Sequence, residues 1–555
     1  MLLITMVRAV RRPFSLASLV LALALATVLL TAQTPPHRMV VRGGTLIDGT
    51  GAPPRPNSAI LIEGDRIRQV DAAGADAAGA TVIDASGKFI LPGLIDSHAH
   101  YNGWEATLYP YWGVTTIFDL GNLSEWIVAQ RAAIANGHIP GARLFTTGNH
   151  INGPPRPGEP ILAADFAGWI HIVTDRATTL QALETLRSHG VNALKIHYRL
   201  NDESLRTILE FSAKHDLPIV GHVLSAREAA EMGIRFIEHM DPIVHDTTAD
   251  RDHPRERDMQ PERFGEVIET LVDRKVHVNP TLLYTVQAVS RHRDEFLAQD
   301  RELLPKLTSV PEFLRERWID RYTVDEATGQ DERANFEKVS LFLRQFVQRG
   351  GLLLSGSNAG RAMQPGRSLH REMRLLAEAG VPPMEIIKAT TSHAARFYGM
   401  ERDLGTVEAG RKADLLILDA DPLADIGNTE RIAQVVLDGR PVKRALTFAN
   451  PFPRPVSDEP TPVIESVTPL RFTRGQTPAV LRLSGRHFFT GSTVSIDGQV
   501  VPARRVDDRT FEVPVPPSAI SAVGTYGVVV TAPLPAGGPS NRRYFFVDFE
   551  PAGSR

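Results

Sequence analysis

Hydrophobic and polar positions change period several times along the chain, and the changes divide it. An apolar run at 14–32, interrupted only by Ser and Thr, comes first. From 37 to 87, apolar and β-branched residues alternate with polar ones in short runs, MVVRGGTLIDGTG, SAILIEGDRIRQV and TVIDASGKFI. Gly and Asp break these runs, which predicts a small β-unit. From 92 to 400, strand-like runs alternate with stretches at helical spacing. The runs are VTTIFD (114–119), ARLFTT (142–147), ALKIH (193–197), PIVGH (218–222), FIEH (236–239), VHVNPT (276–281) and LLLSG (352–356). Amphipathic stretches such as 180–189, 205–215 and 264–275 separate them. Alternating text returns at 404–418 and 432–440. It appears again beyond the Pro-rich PFPRP (451–455) as six or seven short strands.

Strand–helix alternation of this length predicts an α/β fold with a (β/α)8 barrel at 92–400, whose chemistry would sit at the C-terminal ends of the strands. The flanking β-segments, 38–91 and 401–446, are expected to form one composite β-sandwich subdomain. A linker at 447–461 leads to an Ig-like sandwich at 462–549. The stretch 241–261, rich in Asp, Arg and Pro, reads as a loop over the barrel mouth. The charged helical insertion at 286–336 reads as a solvated surface elaboration, with a substrate lid as the other reading.

The 555 residues are too many for one core. With 61 basic against 64 acidic residues and a net charge of −3, the chain carries no electrostatic footprint for nucleic acid. It contains no Cys, which excludes disulfides, thiolate catalysis and Cys-type metal sites. Any metal must be held by His, carboxylate or a modified residue. Arg8, Arg11 and Arg12 before the apolar run make 1–32 read as an export signal cleaved near Gln33. Arg11-Arg12-Pro13-Phe14 resembles a twin-arginine core, and a periplasmic or extracellular location follows. An uncleaved membrane anchor is the alternative, since the run is just long enough to span a bilayer.

The candidate chemistry begins at FILPGLIDSHAH, which ends in His98 and His100. At i, i+2 on a strand both imidazoles share a face, making either a metal half-site or a packed pair. Lys195 ends an apolar strand, where burial disfavours its charge. A near-neutral lysine can react with carbon dioxide, and snorkelling to solvent is the alternative. His222 and His239 end two further strands. The stretch ending in HAH resembles the first barrel strand of the amidohydrolase superfamily. That resemblance implies two divalent ions, zinc by expectation, held by His98, His100, His222, His239 and a Lys195 carbamate bridging both. It also implies an Asp after strand eight, in text like GTDAG, that binds metal and moves a proton. Here the text is GSNAG, with Asn358 at that place. Asn358 can offer a carbonyl oxygen to a metal but cannot act as a base, and losing a general acid/base costs about 10² to 10⁴ in rate.

Downstream, HREMRLLAEAG, VPPMEIIKATT and LGTVEAGRKADLLILD resemble the imidazolonepropionase- and prolidase-like branch of that superfamily. The tail text ESVTPLRFTRGQ, LSGRHFFTGSTVSIDG and GTYGVVVTA resembles the IPT/TIG type of Ig-like domain, which carries no chemistry of its own. Substrate-binding candidates are His150, His197, Tyr198, Arg199 and Tyr284, each following a strand-like run. In dipeptidase-like relatives such positions hold a terminal carboxylate, a role that would fall to Tyr198 with Arg199; surface or packing roles are the alternative. The expected function is an exported, metal-dependent amidohydrolase that cleaves an amide or peptide bond of a small molecule or short peptide with a metal-activated hydroxide. Two alternatives stand beside it. One is an impaired homologue that binds metal or ligand without efficient turnover, favoured by Asn358. The other is a non-hydrolytic metal enzyme such as an isomerase or decarboxylase. His245 and His277 are the reserve candidates for the proton-moving role.

Overall fold

A computed structural model describes residues 37–71, 79–154, 169–308, 310, 312–360, 363–451, 461–476, 479–532 and 539–548. The predicted export signal and most of the Pro-rich linker lie outside the described residues.

One eight-stranded sheet joins the two flanks of the chain. Arg38–Leu46 pairs antiparallel with Arg55–Glu63 and parallel with both Thr81–Asp84 and Phe89–Pro92. Phe89–Pro92 then pairs antiparallel with Leu415–Leu418, and that strand with Ile432–Leu437. Period-2 alternation gives the central strands two buried faces. Ile90, Leu415 and Ile417 join the sheet's own core with Met39, Val41 and Ile62. Leu91, Leu416 and Leu418 point the other way, into the large core of the central unit. Gly93 makes the passage between the two possible, because a Cβ there would lie 2.2 Å from Thr115 Oγ1.

The central unit differs from a closed barrel. Its parallel strands form three short sheets: Leu94–Ala99 with Val114–Asp119 and Arg143–Thr146; Ile170–Ile172, His150–Asn152, Leu194–Ile196 and Ile219–Gly221; and Phe236–Glu238, His277–Asn279 and Leu352–Leu353. His150–Asn152 and Ile170–Ile172 are strands that the periodicity does not announce. The seam between the last strand and the first is bridged by backbone bonds, Ser97 N–H to Ser355 O (3.1 Å) and His100 N–H to Ala359 O (2.8 Å). Between Ile219–Gly221 and Phe236–Glu238 the ladder is interrupted. Both strands are three residues long, and Gly221 (φ 128°) and His239 (φ 61°) leave extended geometry at their ends.

Helices cover these sheets. Arg176–His189 starts in a capping box of Asp175 with Thr178, stops at Gly190 in the left-handed region, and buries Ala182, Leu183 and Leu186. The stretch 241–261 is more ordered than the loop expected there, holding a helix, Asp241–Thr247, and a 3₁₀ turn, Glu256–Asp258. The insertion forms the helices Arg293–Leu303, Glu312–Asp320 and Glu326–Gln348. Among the described residues no helix is long and apolar enough to cross a membrane.

The C-terminal region is all-β. A four-stranded sheet and a five-stranded sheet share one core, with Leu481, Leu483 and Val513 from the first meeting Val494, Val528 and Phe545 from the second. All pairings are antiparallel except Arg471–Thr473 with Arg543–Asp548.

Candidate active site

The strand ends converge on one cavity of about 530 Å³. His98, His100, Lys195, His222, His239 and Asn358 all line it. His98 Nε2 stands 3.2 Å from His100 Nε2, as their spacing on one strand face requires. The His98 ring lies 5.4 Å from that of His239, which lies 5.0 Å from that of His222. Lys195 sits in the strand Leu194–Ile196, 1% exposed, with Nζ 3.9 Å from Glu238 Oε2.

The loop carrying Asn358 is laced to the first strand. Asn358 N–H donates to His98 O (2.8 Å), and Ser357 donates its N–H (2.9 Å) and hydroxyl (2.6 Å) to Asp96. Asn358 holds φ 51°, in the left-handed region that Asn and Asp tolerate better than most side chains.

Two carboxylates here were not singled out in the sequence. Glu238 is 0% exposed, accepts from His98 Nδ1 at 2.7 Å, and is steadied by Asn279 Nδ2 at 3.1 Å. Asp96 lies on the face that His98 and His100 share, at i, i+2, i+4, and this spacing was the available signal. For Glu238 the signal was an acid inside the apolar run FIEHM. Burial raises both carboxyls. Asp96 is pushed up to about 6 against the bonds from Ser357, and Glu238 is pushed up against the nearby Lys195 charge. Burial also holds His222 well below the usual imidazole range and His239 down at about 3. Both rings are therefore neutral near pH 7, the form that donates a lone pair to a metal.

The residues present fit a divalent ion. The donor set is imidazole and carboxylate without thiolate. His98, Glu238 and His239 bring ligand atoms within 4.8 Å of one another. With His98 Nδ1 engaged by Glu238 and His239 Nδ1 by Thr281 Oγ1, the Nε2 atoms are left for coordination.

The substrate-binding candidates divide. His150, His197, Tyr198 and Tyr284 line the cavity. Arg199, at φ 63°, is not part of its described wall. His245 is buried on the helix Asp241–Thr247 beside Asp246, outside the wall. His277 begins the strand whose far end, Asn279, reaches Glu238, so it packs on Phe397 away from the cavity. Neither reserve histidine is placed to move a proton in this site. The insertion also departs from the surface reading, since Val286, Glu332, Asn335 and Phe336 form part of the wall.

The sequence profile described as Amidohydrolase family matches residues 113–442. An imidazolonepropionase of Deinococcus radiodurans is 21% identical over 411 residues, 69% of this chain and 91% of that protein. An adenine deaminase of Paracoccus denitrificans is 23% identical over 405 residues, 70% of this chain and 55% of that enzyme, so the match spans about half of the relative. The crystal structure of a putative prolidase from Bifidobacterium longum superposes with a TM-score of 0.56 at 22% identity, covering 75% of this chain and 98% of that one. At this identity the likeness speaks for the fold.

Proposed function

This chain belongs to the amidohydrolase family, and on that premise we propose that it is a metal-dependent hydrolase cleaving a C–N bond in a small molecule or short peptide. The convergence of His98, His100, Lys195, His222 and His239 on one cavity carries the reading. These side chains, with the Asn358 carbonyl oxygen, would hold two divalent ions, zinc by preference, and Lys195 as a carbamate would add oxygen ligands to the set. Bound there, such ions polarise a carbonyl and lower the pKa of water. The protein's own part is orientation. Glu238 fixes the ring of His98, Thr281 that of His239, and Asp96 holds the loop bearing Asn358. His150, Tyr198 and Tyr284 line the space left for substrate.

Asn358 favours a second reading, a homologue that binds metal and ligand with impaired turnover, because the amide at that position cannot take up and return a proton. In either reading the chain is exported through its first 32 residues, and the C-terminal region is an IPT/TIG-type spacer or binding unit.

Metal analysis of protein prepared with zinc and bicarbonate, beside hydrolysis of dipeptides and aryl esters, tests the proposal. Near two ions per chain and turnover lost in His98→Ala support the hydrolase. Metal without turnover supports the impaired homologue, and a metal-free cavity refutes both.

A further inference from the structure

The cavity has a second chemical character. Asp241, Glu256 and Glu332 line it together with the histidines, brought there by three separate elements. Glu332, Asn335, Phe336 and Val339 all line the cavity from the helix Glu326–Gln348. Their i, i+3, i+4, i+7 spacing places them on one face. Arg257 N–H donates to Asn335 Oδ1 at 3.0 Å, which ties the turn carrying Glu256 to that face.

Among the described residues none of the three carboxylates has an ion pair or a donor side chain. Glu332 Oε2 is shielded from solvent and accepts no hydrogen bond. Arg321, whose charge acts on Glu332, is engaged with Tyr284, stacking 4.4 Å over its ring and donating to Tyr284 O at 3.0 Å. Lys195, the lysine of the wall, stands beside Glu238. Burial raises the Glu256 and Glu332 carboxyls, a cost that an arriving cation offsets. Their oxygens are not gathered closely enough for a bare ion, since the one triad of ligand atoms within 4.8 Å among the described residues is His98, Glu238 and His239. An extended cation, with several N–H donors and an apolar stem, suits such spacing. Tyr284 and Phe336 in the same wall give that stem ring faces to lie on.

We infer that Asp241, Glu256 and Glu332 select a substrate with a cationic end, an alkylammonium or guanidinium, seated in the cavity that holds the histidines. This rests on the proposed function only in taking that cavity as the substrate site. It replaces the expected recognition of a carboxylate by Arg199 with recognition of the opposite charge.

The test is calorimetric binding of N-acetyl-lysinamide against N-acetyl-norleucinamide, which differ by the ammonium, to the zinc-supplemented full chain. The lysine compound binds at least about tenfold tighter, the worth of a charge-assisted contact. In Glu256→Gln/Glu332→Gln that preference falls to within about threefold while zinc content and melting temperature stay unchanged. N-acetyl-glutamylamide, carrying the opposite charge, binds more weakly than either. Equal affinity for the lysine and norleucine compounds, no binding of either, or a preference that survives the double substitution overturns the inference. Binding is read without turnover, so a preference retained by a protein that hydrolyses nothing would refute the hydrolase alone.

Discussion

Asn358→Asp is the substitution that most directly separates structure from chemistry at this site. The backbone already accepts it, because position 358 lies at φ 51° and its N–H is bound to His98 O at 2.8 Å whatever the side chain. Asp is as much at ease as Asn in that region, so the conformational cost is small. The electrostatic cost falls on metal-free protein. A new carboxylate would join Asp96, already pushed up to about 6, and Glu238, raised by the same burial. Metal-free Asn358→Asp should therefore melt below wild type, and zinc should raise its melting temperature more. The catalytic magnitude follows from the step a carboxylate serves. An amine leaves poorly unless protonated, whereas an activated phenolate leaves without help. With kcat/KM measured on a dipeptide and on an aryl ester, Asn358→Asp should raise the amide value by roughly 10² or more. The ester value should change by less than about tenfold. Equal gains on both substrates, or brisk dipeptide cleavage by wild type with no gain in the variant, would show that another group carries the proton.

Lys195→Ala should lower zinc content, and formate or acetate should partly restore it by supplying the missing oxygen bridge. Zinc binding that is indifferent to bicarbonate in wild type would reject the carbamate. Arg371, 1% exposed, gives Asp300 two hydrogen bonds of 2.7 and 2.8 Å and meets Tyr322 Oη at 2.8 Å. Arg371→Met should cost about 3–5 kcal/mol in urea unfolding, because Asp300 is left buried without its cation; a loss below about 1 kcal/mol would refute that account. Burial and the neighbouring His393 hold His277 at about 4, against 6.5 for the free group. Between those values the unfolded chain binds a proton that the folded one refuses, so the stabilisation is whole above pH 6.5 and is lost as pH falls toward 4. His277→Gln should flatten that fall by roughly 1–3 kcal/mol, and an unchanged pH profile of unfolding would count against the assignment.

The residues legible in the sequence were those whose local pattern already encodes their place. Leu415–Leu418 is apolar at all four positions, as a strand buried on both faces requires, with two residues facing one core and two the other. Each expected histidine ligand stands at or just beyond the end of an apolar run, where parallel strands bring their C-terminal ends together. Glu238 was hidden because its partner, His98, is 140 residues away. Glu332, Asn335 and Phe336 were hidden for a similar reason. In EATGQDERANFEKV the charged positions surround the helix, and only contact with the turn at Glu256 decides which face is covered. His277 was misplaced because a three-residue strand gives no local sign of which end meets the cavity. Interruption of the sheet was equally invisible, since it depends on φ at Gly221 and His239 rather than on residue pattern.

The buried carboxylates show how the site divides its tasks. Asp96 ties the loop at 357 to the first strand, and Glu238 fixes the His98 ring. Both are directed at protein groups, Glu238 at an imidazole that would bind metal and Asp96 at the loop beside it. In the proposed hydrolase, the position expected to deliver a proton to a leaving group carries an amide, Asn358, instead. Orientation is thus built from carboxylates bonded to protein groups, and in the proposed hydrolase proton transfer would be left to the substrate or to solvent. A site so arranged can still bind and polarise a carbonyl, and its rate should depend steeply on how readily the leaving group departs unprotonated. Across a series of aryl esters, log kcat/KM should fall as leaving-group pKa rises, and Asn358→Asp should make that line shallower. A slope that is already flat in wild type would mean that departure of the leaving group does not limit the reaction and that the amide at 358 is no handicap.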